Sequence, residues 1–174
     1  MSSELRFDVL VLGGGGAALR AALSACEQGA KTAILSKGEA GKSGATYYSV
    51  AEVGAFNVPD GALDPEDSPE EFYRDMEMAA LGTAQLPLCR ILAEQAESAL
   101  QYLEKISGGT VFAKEDGHFK VYQACFSTRP RSHVVENHFK PILRALREEV
   151  ARRDITVLSG LQAVDLLKED GQVC

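Results

Sequence analysis

A chain of 174 residues, 45% of them hydrophobic, is long enough to form one domain with a sizeable core. Its net charge of −7 repels phosphate backbones and anionic membrane surfaces, so we predict no nucleic acid partner. No apolar stretch reaches the roughly 20 residues that a membrane-spanning helix needs, and the N-terminal residues lack a signal-peptide pattern. We therefore predict a cytoplasmic protein without a transmembrane segment.

The cysteines and histidines predict no metal site. No pair of cysteines has the C-x-x-C spacing of a zinc or iron–sulfur site, and His133 and His138 are five residues apart, which does not put both rings on one helix face. We expect all four cysteines to be free thiols; they are Cys26, Cys89, Cys125 and Cys174.

The first 36 residues predict a strand, a helix and a second strand. Residues 7–12 form a short apolar run of strand formers that ends on glycines, and residues 32–36 form another. Between them, residues 17–28 are rich in Ala, Leu and Arg, and Gly29 follows where a helix often ends. We expect a right-handed parallel crossover whose sheet is buried on both sides.

The middle of the chain predicts a long irregular segment followed by two helices. Residues 37–64 carry five glycines with little periodicity. The sequence Ser68-Pro69-Glu70-Glu71 has the pattern of a capping box, so a helix should start there. A second helix is predicted over residues 87–106, closed by Gly108-Gly109. Its apolar face consists of Leu92, Ala96, Ala99, Leu100 and Leu103.

The last third predicts two hairpins around one more helix and strand. Asp116-Gly117 supplies a tight turn within residues 110–122. An amphipathic helix over residues 141–153 then leads to a third parallel strand at residues 155–158. Asp170-Gly171 predicts a further turn, whose second strand begins at Gln172.

The glycine run Gly13-Gly14-Gly15-Gly16 carries the strongest functional signal. Gly13-x-Gly15-x-x-Ala18 follows a predicted strand and opens a predicted helix, which is the context of a dinucleotide-binding fingerprint. The first glycine permits the tight turn, the second lets a pyrophosphate approach the backbone, and Ala18 allows close packing of helix on sheet. The alternative is a glycine-rich turn that serves packing alone.

The end of the second strand leaves the identity of the dinucleotide open. The acidic residue expected about 20 residues after the glycines is replaced by Ser36-Lys37. Ser36 could bond a ribose hydroxyl, whereas Lys37 could meet a ribose 2′-phosphate or be solvated. On these residues alone, FAD and NADP both remain open.

Several segments, which together cover nearly the whole chain, carry a family resemblance. Residues 11–22, with the glycine run followed by Leu19-Arg20-Ala21-Ala22, and residues 34–37 resemble the flavoprotein subunits of succinate dehydrogenase and fumarate reductase, together with L-aspartate oxidase and soluble fumarate reductases. The resemblance implies FAD as the cofactor. It also implies an α/β, Rossmann-like FAD-binding domain with a parallel sheet, inserted helices and the start of a β-meander, incomplete in this chain.

The same resemblance extends the set of cofactor-binding residues. Residues 42–46 occupy the place of the family's flavin loop, where membrane-bound members have a histidine joined to the flavin. This chain has Gly44 at that point, which implies non-covalent FAD. The backbone near Ala163 would contact adenine. The predicted cofactor-binding residues are Gly13, Gly14, Gly15, Gly16, Ala17, Ala18, Ser36, Lys37, Ser43, Gly44, Ala45, Thr46 and Ala163.

The resemblance implies that residues 1–174 are the N-terminal part of an FAD-binding domain, with an insertion at about residues 38–140 and the capping domain absent. The implied activity is hydride transfer between flavin and a dicarboxylate such as fumarate or succinate. Its catalytic residues would lie beyond this chain, so the 174 residues alone should be inactive. An iron–sulfur electron-transfer subunit is the implied partner, through which the protein would be peripheral to a membrane. The alternative is a nucleotide-binding module without catalysis.

Arg129 and Arg131 are the remaining basic candidates for ligand contact. Two guanidinium groups so close in sequence could bind a carboxylate or phosphate in bidentate fashion. A solvated basic turn is the alternative, and neither residue is assigned a catalytic role.

Overall fold

The computed structural model describes residues 5–48 and 54–173, apart from the side chain of Gln172. The chain divides into two compact units, a first unit of residues 1–49 with 142–174 and a second unit of residues 50–141. The helices are α1 (Gly16–Glu27), α2 (Pro69–Ala80), α3 (Leu86–Ser107) and α4 (Lys140–Ala151). The strands are β1 (Val9–Leu12), β2 (Thr32–Ser36), β3 (Gly54–Asn57), β4 (Lys114–Glu115), β5 (His118–Phe119), β6 (Val121–Tyr122), β7 (Ser132–Val135), β8 (Ile155–Ser159), β9 (Lys168–Glu169) and β10 (Gln172–Val173).

The first unit is built on the predicted parallel sheet, in the order β1-β2-β8. The central strand β2 pairs along its whole length with β8 and is nearly fully buried. Helix α1 buries Leu19 and Leu23, and α4 buries Leu143 and Leu146 in the same unit. Each such leucine contributes about 1.5–3 kcal/mol of hydrophobic stabilisation. The predicted strand–helix–strand order and the third parallel strand are confirmed.

The expectation that this sheet is buried on both sides is wrong for β1. Leu10 and Leu12 are 47% and 46% exposed, although they alternate with half-buried neighbours on the other face. Within the described residues, β1 pairs with β2 alone, so it forms one edge of the sheet. An edge strand loses cover on one face when no element packs there, and an apolar run cannot show that by itself.

The second unit contains an antiparallel sheet in the order β3-β7-β6, which the sequence did not indicate. Strand β3 lies inside the segment predicted to be irregular and pairs with β7 from Gly54↔Val135 to Asn57↔Ser132. Phe56 of β3 packs edge-to-face on Phe112 and Phe139. The pairing partner lies far away in the sequence, so tertiary contacts rather than a local pattern create β3.

The predicted hairpin at Asp116-Gly117 is confirmed in its turn but not in its extent. Asp116 and Gly117 have φ of 51° and 83°, the two positive values of a type I′ turn. The flanking strands β4 and β5 are only two residues each, because Phe112 bridges to Val135 instead of pairing across the hairpin. The second turn, with Asp170 at 50° and Gly171 at 82°, joins β9 to β10 as predicted.

Helices α2 and α3 start and stop near the predicted residues. Ser68 Oγ accepts a hydrogen bond from the Glu71 N–H at 3.3 Å, and Gly108 ends α3 in the left-handed region. The buried stripe of α3 consists of Ala93, Ala96, Leu100 and Leu103. The predicted members Leu92 and Ala99 are exposed, because the face in contact with the unit is centred on Ala93 and Ala96 instead.

Other predictions concern cysteines, metals and membranes. Cys26, Cys89 and Cys125 are free thiols, and Cys174 lies outside the described residues. Across residues 5–48 and 54–173, no cluster of metal-ligating side chains is present. No described helix is both long enough and apolar enough to span a bilayer.

Candidate dinucleotide-binding site

The turn between β1 and α1 has the geometry that the fingerprint predicts. Gly13 has φ of +124°, a conformation that side chains disfavour, and its N–H donates to the Leu35 carbonyl at 2.9 Å. A Cβ atom on Gly13 would lie 3.8 Å from Cβ of Ala18, which is ordinary contact. The small residue at position 18 therefore lets the start of α1 approach the end of β1 closely.

Gly14 lies at the closest approach in this turn. A Cβ atom placed on Gly14 would lie 2.4 Å from Ser36 Oγ and 3.0 Å from the Ala40 Cα. A side chain there would displace the Ser36 hydroxyl and crowd the Ala40 backbone. Ser36 is only 3% exposed and packs beneath the glycine run, whereas Lys37 is exposed. Contact of Ser36 or Lys37 with a ribose remains a prediction.

The N-terminus of α1 suits an anionic ligand. Gly15 is the N-cap residue with extended backbone, no side chain caps the helix, and its first turn contains no acidic residue. The first N–H groups of a helix have no intrahelical acceptor and lie at the positive end of the helix dipole. A pyrophosphate placed against the backbone of Gly15 and Gly16 would accept from these groups, so the residues present fit a dinucleotide.

The predicted flavin loop lies against the glycine run. A Cβ on Gly15 would lie 3.7 Å from Thr46 Oγ1, and one on Gly16 would lie 3.4 Å from Thr46 Cγ2. Gly44, with φ of +84°, approaches Gly15 in the same way. Ser43 instead donates its hydroxyl to the Glu39 carbonyl at 2.9 Å. The structure thus places Gly44 and Thr46 against Gly15 and Gly16. Ala17, which follows the glycine run, and Ala45, between Gly44 and Thr46, are exposed.

Ala163 lies in an exposed segment without regular structure after β8. Two residues before it, the Leu161 N–H donates to the Ser36 carbonyl at 3.2 Å, so the segment begins beside the end of β2. The structure gives no contact between Ala163 and the glycine run. Its contact with adenine remains a prediction.

The sequence did not predict the turn of residues 39–42, which is hydrogen-bonded to the glycine run. The Gly41 N–H donates to the Gly14 carbonyl at 2.6 Å, and the Ala40 N–H donates to Ser159 Oγ at 3.4 Å. Gly41 has φ of +74°, a conformation that favours glycine, so this glycine was the feature of the sequence that could have indicated the turn. Its contact with Arg147, far along the chain, could not be read from the sequence.

Arg129 and Arg131 are not the anion contacts or the solvated turn that the sequence suggested. Arg131 is 1% exposed and donates to Asp67 Oδ1 and Oδ2 through Nε, to Asp67 Oδ1 through Nη2 at 2.7 Å, and to Asp75 through Nη1. Arg129 pairs with Asp64 at 2.8 Å and with Glu66 at 3.0 Å. Both guanidinium groups are engaged by carboxylates of the second unit, which a short basic sequence cannot show.

The carboxylate of Asp75, beside Arg131, is held in its charged form. Burial by itself raises the pKa of Asp75, but hydrogen bonds from the Thr128 N–H, from Arg131 and from the Thr128 hydroxyl outweigh it, so the pKa lies below its ordinary value. His133 is fully buried nearby, with Nε2 3.0 Å from Asp60 Oδ2 and Nδ1 3.1 Å from the Arg131 carbonyl. The ion pairs of Arg131 with Asp67 and Asp75 therefore lie within the second unit.

The fold and the glycine turn define the class of the protein. In the parallel β-α-β unit, the first strand runs into glycines that lead to the N-terminus of α1, where no side chain caps the helix. This is the arrangement of a dinucleotide-binding α/β domain. A family model described as an FAD binding domain matches residues 8–174. The chain belongs to this family, and FAD is its cofactor. The match decides between the two dinucleotides that the sequence had left open.

The chain is similar to several flavoprotein oxidoreductases. It is 35% identical to one of the subunits of fumarate reductase (CoM/CoB) from Methanothermobacter marburgensis, over 99% of this chain and 31% of that protein. It is 32% identical to L-aspartate oxidase from Vibrio cholerae, over 96% of this chain and 31% of that protein. The chain therefore spans about a third of the length of these relatives.

Solved structures show the same fold. Sdh1 of Mycobacterium smegmatis in complex with UQ1 matches with a TM-score of 0.83 at 24% identity, over 96% of this chain and 29% of that one. Quinol fumarate reductase of E. coli matches with a TM-score of 0.83 at 21% identity, over 97% of this chain and 28% of that one. The predicted α/β, Rossmann-like FAD-binding fold and the family resemblance are confirmed.

Proposed function

We propose that this chain forms the FAD-binding portion of an oxidoreductase that transfers a hydride between flavin and a dicarboxylate such as fumarate or succinate. The observation that carries the proposal is the 35% identity to a fumarate reductase polypeptide over 99% of the chain, glycine run included. Family members are FAD-dependent oxidoreductases. The names of the relatives support a carboxylate substrate, and the choice between fumarate and succinate belongs to the proposal.

In this proposal, the first unit holds the cofactor. The backbone N–H groups of Gly15 and Gly16 bind the pyrophosphate, and Gly13 and Gly14 form the turn that makes room for it. The other predicted contacts, from Ala17, Ala18, Ser36, Lys37, Ser43, Ala45 and Ala163, complete the set around the ribose, the flavin loop and adenine. When bound, FAD supplies the redox chemistry, and these residues orient and shield it.

Gly44 supports non-covalent attachment. Its position in the flavin loop lies next to Gly15, and glycine offers no side chain that could form a bond with the flavin. Thr46 in the same loop lies against Gly15 and Gly16. The FAD is therefore held by hydrogen bonds, helix dipole and packing alone.

The proposal also covers substrate binding, partner and location. Residues that bind the dicarboxylate and donate a proton are expected outside this chain, because it spans about a third of its relatives. Relatives named as quinol fumarate reductase and as succinate dehydrogenase flavoproteins suggest that the electron partner is an iron–sulfur subunit. Such a partner would place a cytoplasmic protein at the membrane periphery.

The experiment uses the purified flavoprotein that contains this chain. Acid precipitation should release all of its FAD into the supernatant, as measured by absorbance and chromatography. With a reduced dye as electron donor, fumarate should be converted to succinate. Flavin that stays in the precipitate would contradict non-covalent binding. Turnover with L-aspartate or a steroid but with neither dicarboxylate would contradict the proposed substrate.

A further inference from the structure

Arg147 on α4 packs along the turn that lies beneath the glycine run. A Cβ atom on Gly41 would lie 2.1 Å from Cδ and 2.3 Å from Cγ of Arg147. The aliphatic part of the Arg147 side chain, its stem, therefore occupies the space that a side chain at position 41 would need. Both residues belong to the first unit, so the contact is made within one compact body.

The guanidinium group of Arg147 reaches the same turn. Its Nη2 donates to Glu39 Oε1 at 3.2 Å, and Lys42 Nζ lies 2.7 Å from that oxygen. The hydrogen bond from Lys42, together with the charges of Lys42 and Arg147, holds the pKa of Glu39 below its ordinary value. All three side chains are partly exposed, so this pairing is weak and the packed stem is the larger contribution.

The turn under Arg147 is tied to the glycine run. The Glu39 carbonyl accepts from the Lys42 N–H at 3.0 Å and from the Ser43 hydroxyl at 2.9 Å, which closes residues 39–43 into a compact turn. From this turn the Gly41 N–H donates to the Gly14 carbonyl at 2.6 Å. The chain then continues directly to Gly44 and Thr46, which lie against Gly15 and Gly16.

We propose that Arg147 is a positioning residue for FAD, whose stem presses the turn of residues 39–42 onto Gly14 and so fixes the glycine run and the Thr46 loop that receive the pyrophosphate. Arg147 itself does not touch the cofactor. The proposal rests on the FAD site proposed above. It predicts that loss of the stem loosens the turn before the cofactor binds, while the helix that carries Arg147 stays folded.

The test uses three variants of the flavoprotein that contains this chain. Arg147→Ala removes stem and charge, and Arg147→Met keeps an unbranched stem without the charge. Arg144→Ala is the matched control, because Arg144 lies on the same helix with an 82% exposed side chain and pairs with Glu148 of that helix. For each apoprotein, the rate of tryptic cleavage after Lys42, the melting temperature and the Kd for FAD are measured.

Arg147→Ala should be cleaved after Lys42 several-fold faster than wild type and should bind FAD about tenfold more weakly. Arg147→Met should restore both values to within about threefold of wild type, because the stem rather than the charge makes the contact. The melting temperature of the Arg147→Ala apoprotein should stay within about 2 °C of the Arg144→Ala control.

Three results would overturn the inference: unchanged cleavage in Arg147→Ala, an unchanged Kd, or a melting temperature far below the control, which would make Arg147 a folding contact.

Failure of the FAD site itself is detected by a separate variant, Gly15→Ala. Gly15 has φ of −83° and a Cβ there makes ordinary contacts, so this variant should fold and still lose FAD affinity. Unchanged FAD binding in Gly15→Ala would refute the proposed site. The cleavage assay would still show whether Arg147 holds the turn, because it is done on apoprotein and needs no FAD.

Discussion

Arg131 is the largest of the fully buried side chains among the described residues, and it pairs with two carboxylates, those of Asp67 and Asp75. Asp67 is engaged by Nε and Nη2, and Asp75 by Nη1, so the guanidinium group joins the segment before α2 to α2 itself. The Phe72 ring centroid lies 5.1 Å from the guanidinium carbon. Removing one partner of such a group costs more than the pair contributes, because the remaining charge is left buried.

Asp75 should make the stability of the protein depend on pH. Its folded pKa lies below the unfolded value of about 3.9, so its contribution is complete above that pH and is lost as pH falls through the folded pKa. Asp75→Asn should lower the free energy of unfolding at pH 7 by about 1–3 kcal/mol and make the loss on acidification shallower. Urea unfolding followed at pH 7 and near pH 3 measures both effects.

The matched control for Asp75→Asn is Asp116→Asn. Asp116 is exposed in a type I′ turn that tolerates asparagine, so the same chemical change should leave stability within about 0.5 kcal/mol. If the two variants unfolded at the same urea concentration, the hydrogen bonds of Asp75 would not be what stabilises the second unit.

At the scale of elements, helix signals in the sequence were reliable and short strands were not. Four amphipathic patterns gave α1, α2, α3 and α4, because a helix satisfies its backbone locally and shows its buried face every three or four residues. Strands β3 and β7 have only four residues each, and β3 contains Gly54 and Asn57, two residue types that are depleted in strands. They form because each supplies hydrogen bonds to the other.

The N-terminus of α2 offers a test at this scale. Ser68→Ala removes the hydroxyl that accepts from the Glu71 N–H and should lower the free energy of unfolding by about 1 kcal/mol. Ser98→Ala, inside α3 and exposed, should be neutral or slightly stabilising, because alanine is the better helix former. Thermal unfolding of both variants measures the difference. Equal melting temperatures would show that the cap does not stabilise α2.

At the scale of the whole molecule, we expect these 174 residues alone to show no hydride transfer to fumarate. The proposed role of the predicted site residues is to hold the cofactor, and the chain spans about a third of its flavoprotein relatives. In the first unit, Leu10 and Leu12 of β1 are exposed on a parallel sheet of a type that is normally covered on both faces. An assay with reduced dye and fumarate, in the presence of excess FAD, is the measurement. Measurable turnover would show that the chemistry needs no residues beyond this chain.

The amino-acid sequence by itself determined the parallel β-α-β unit, the glycine turn and the helix boundaries, because these depend on neighbours within a few residues: a strand that runs into glycines, small residues on a helix, and a capping serine. The tertiary structure alone decided what Arg131 and Arg147 do. Their partners lie 56–64 and about 106–108 residues away along the chain, and only folding brings a carboxylate to one and the Gly41 backbone to the other. Burial then turned a basic sequence into an internal ion-pair cluster, and packing placed the Arg147 stem against Gly41, whose N–H donates to the Gly14 carbonyl.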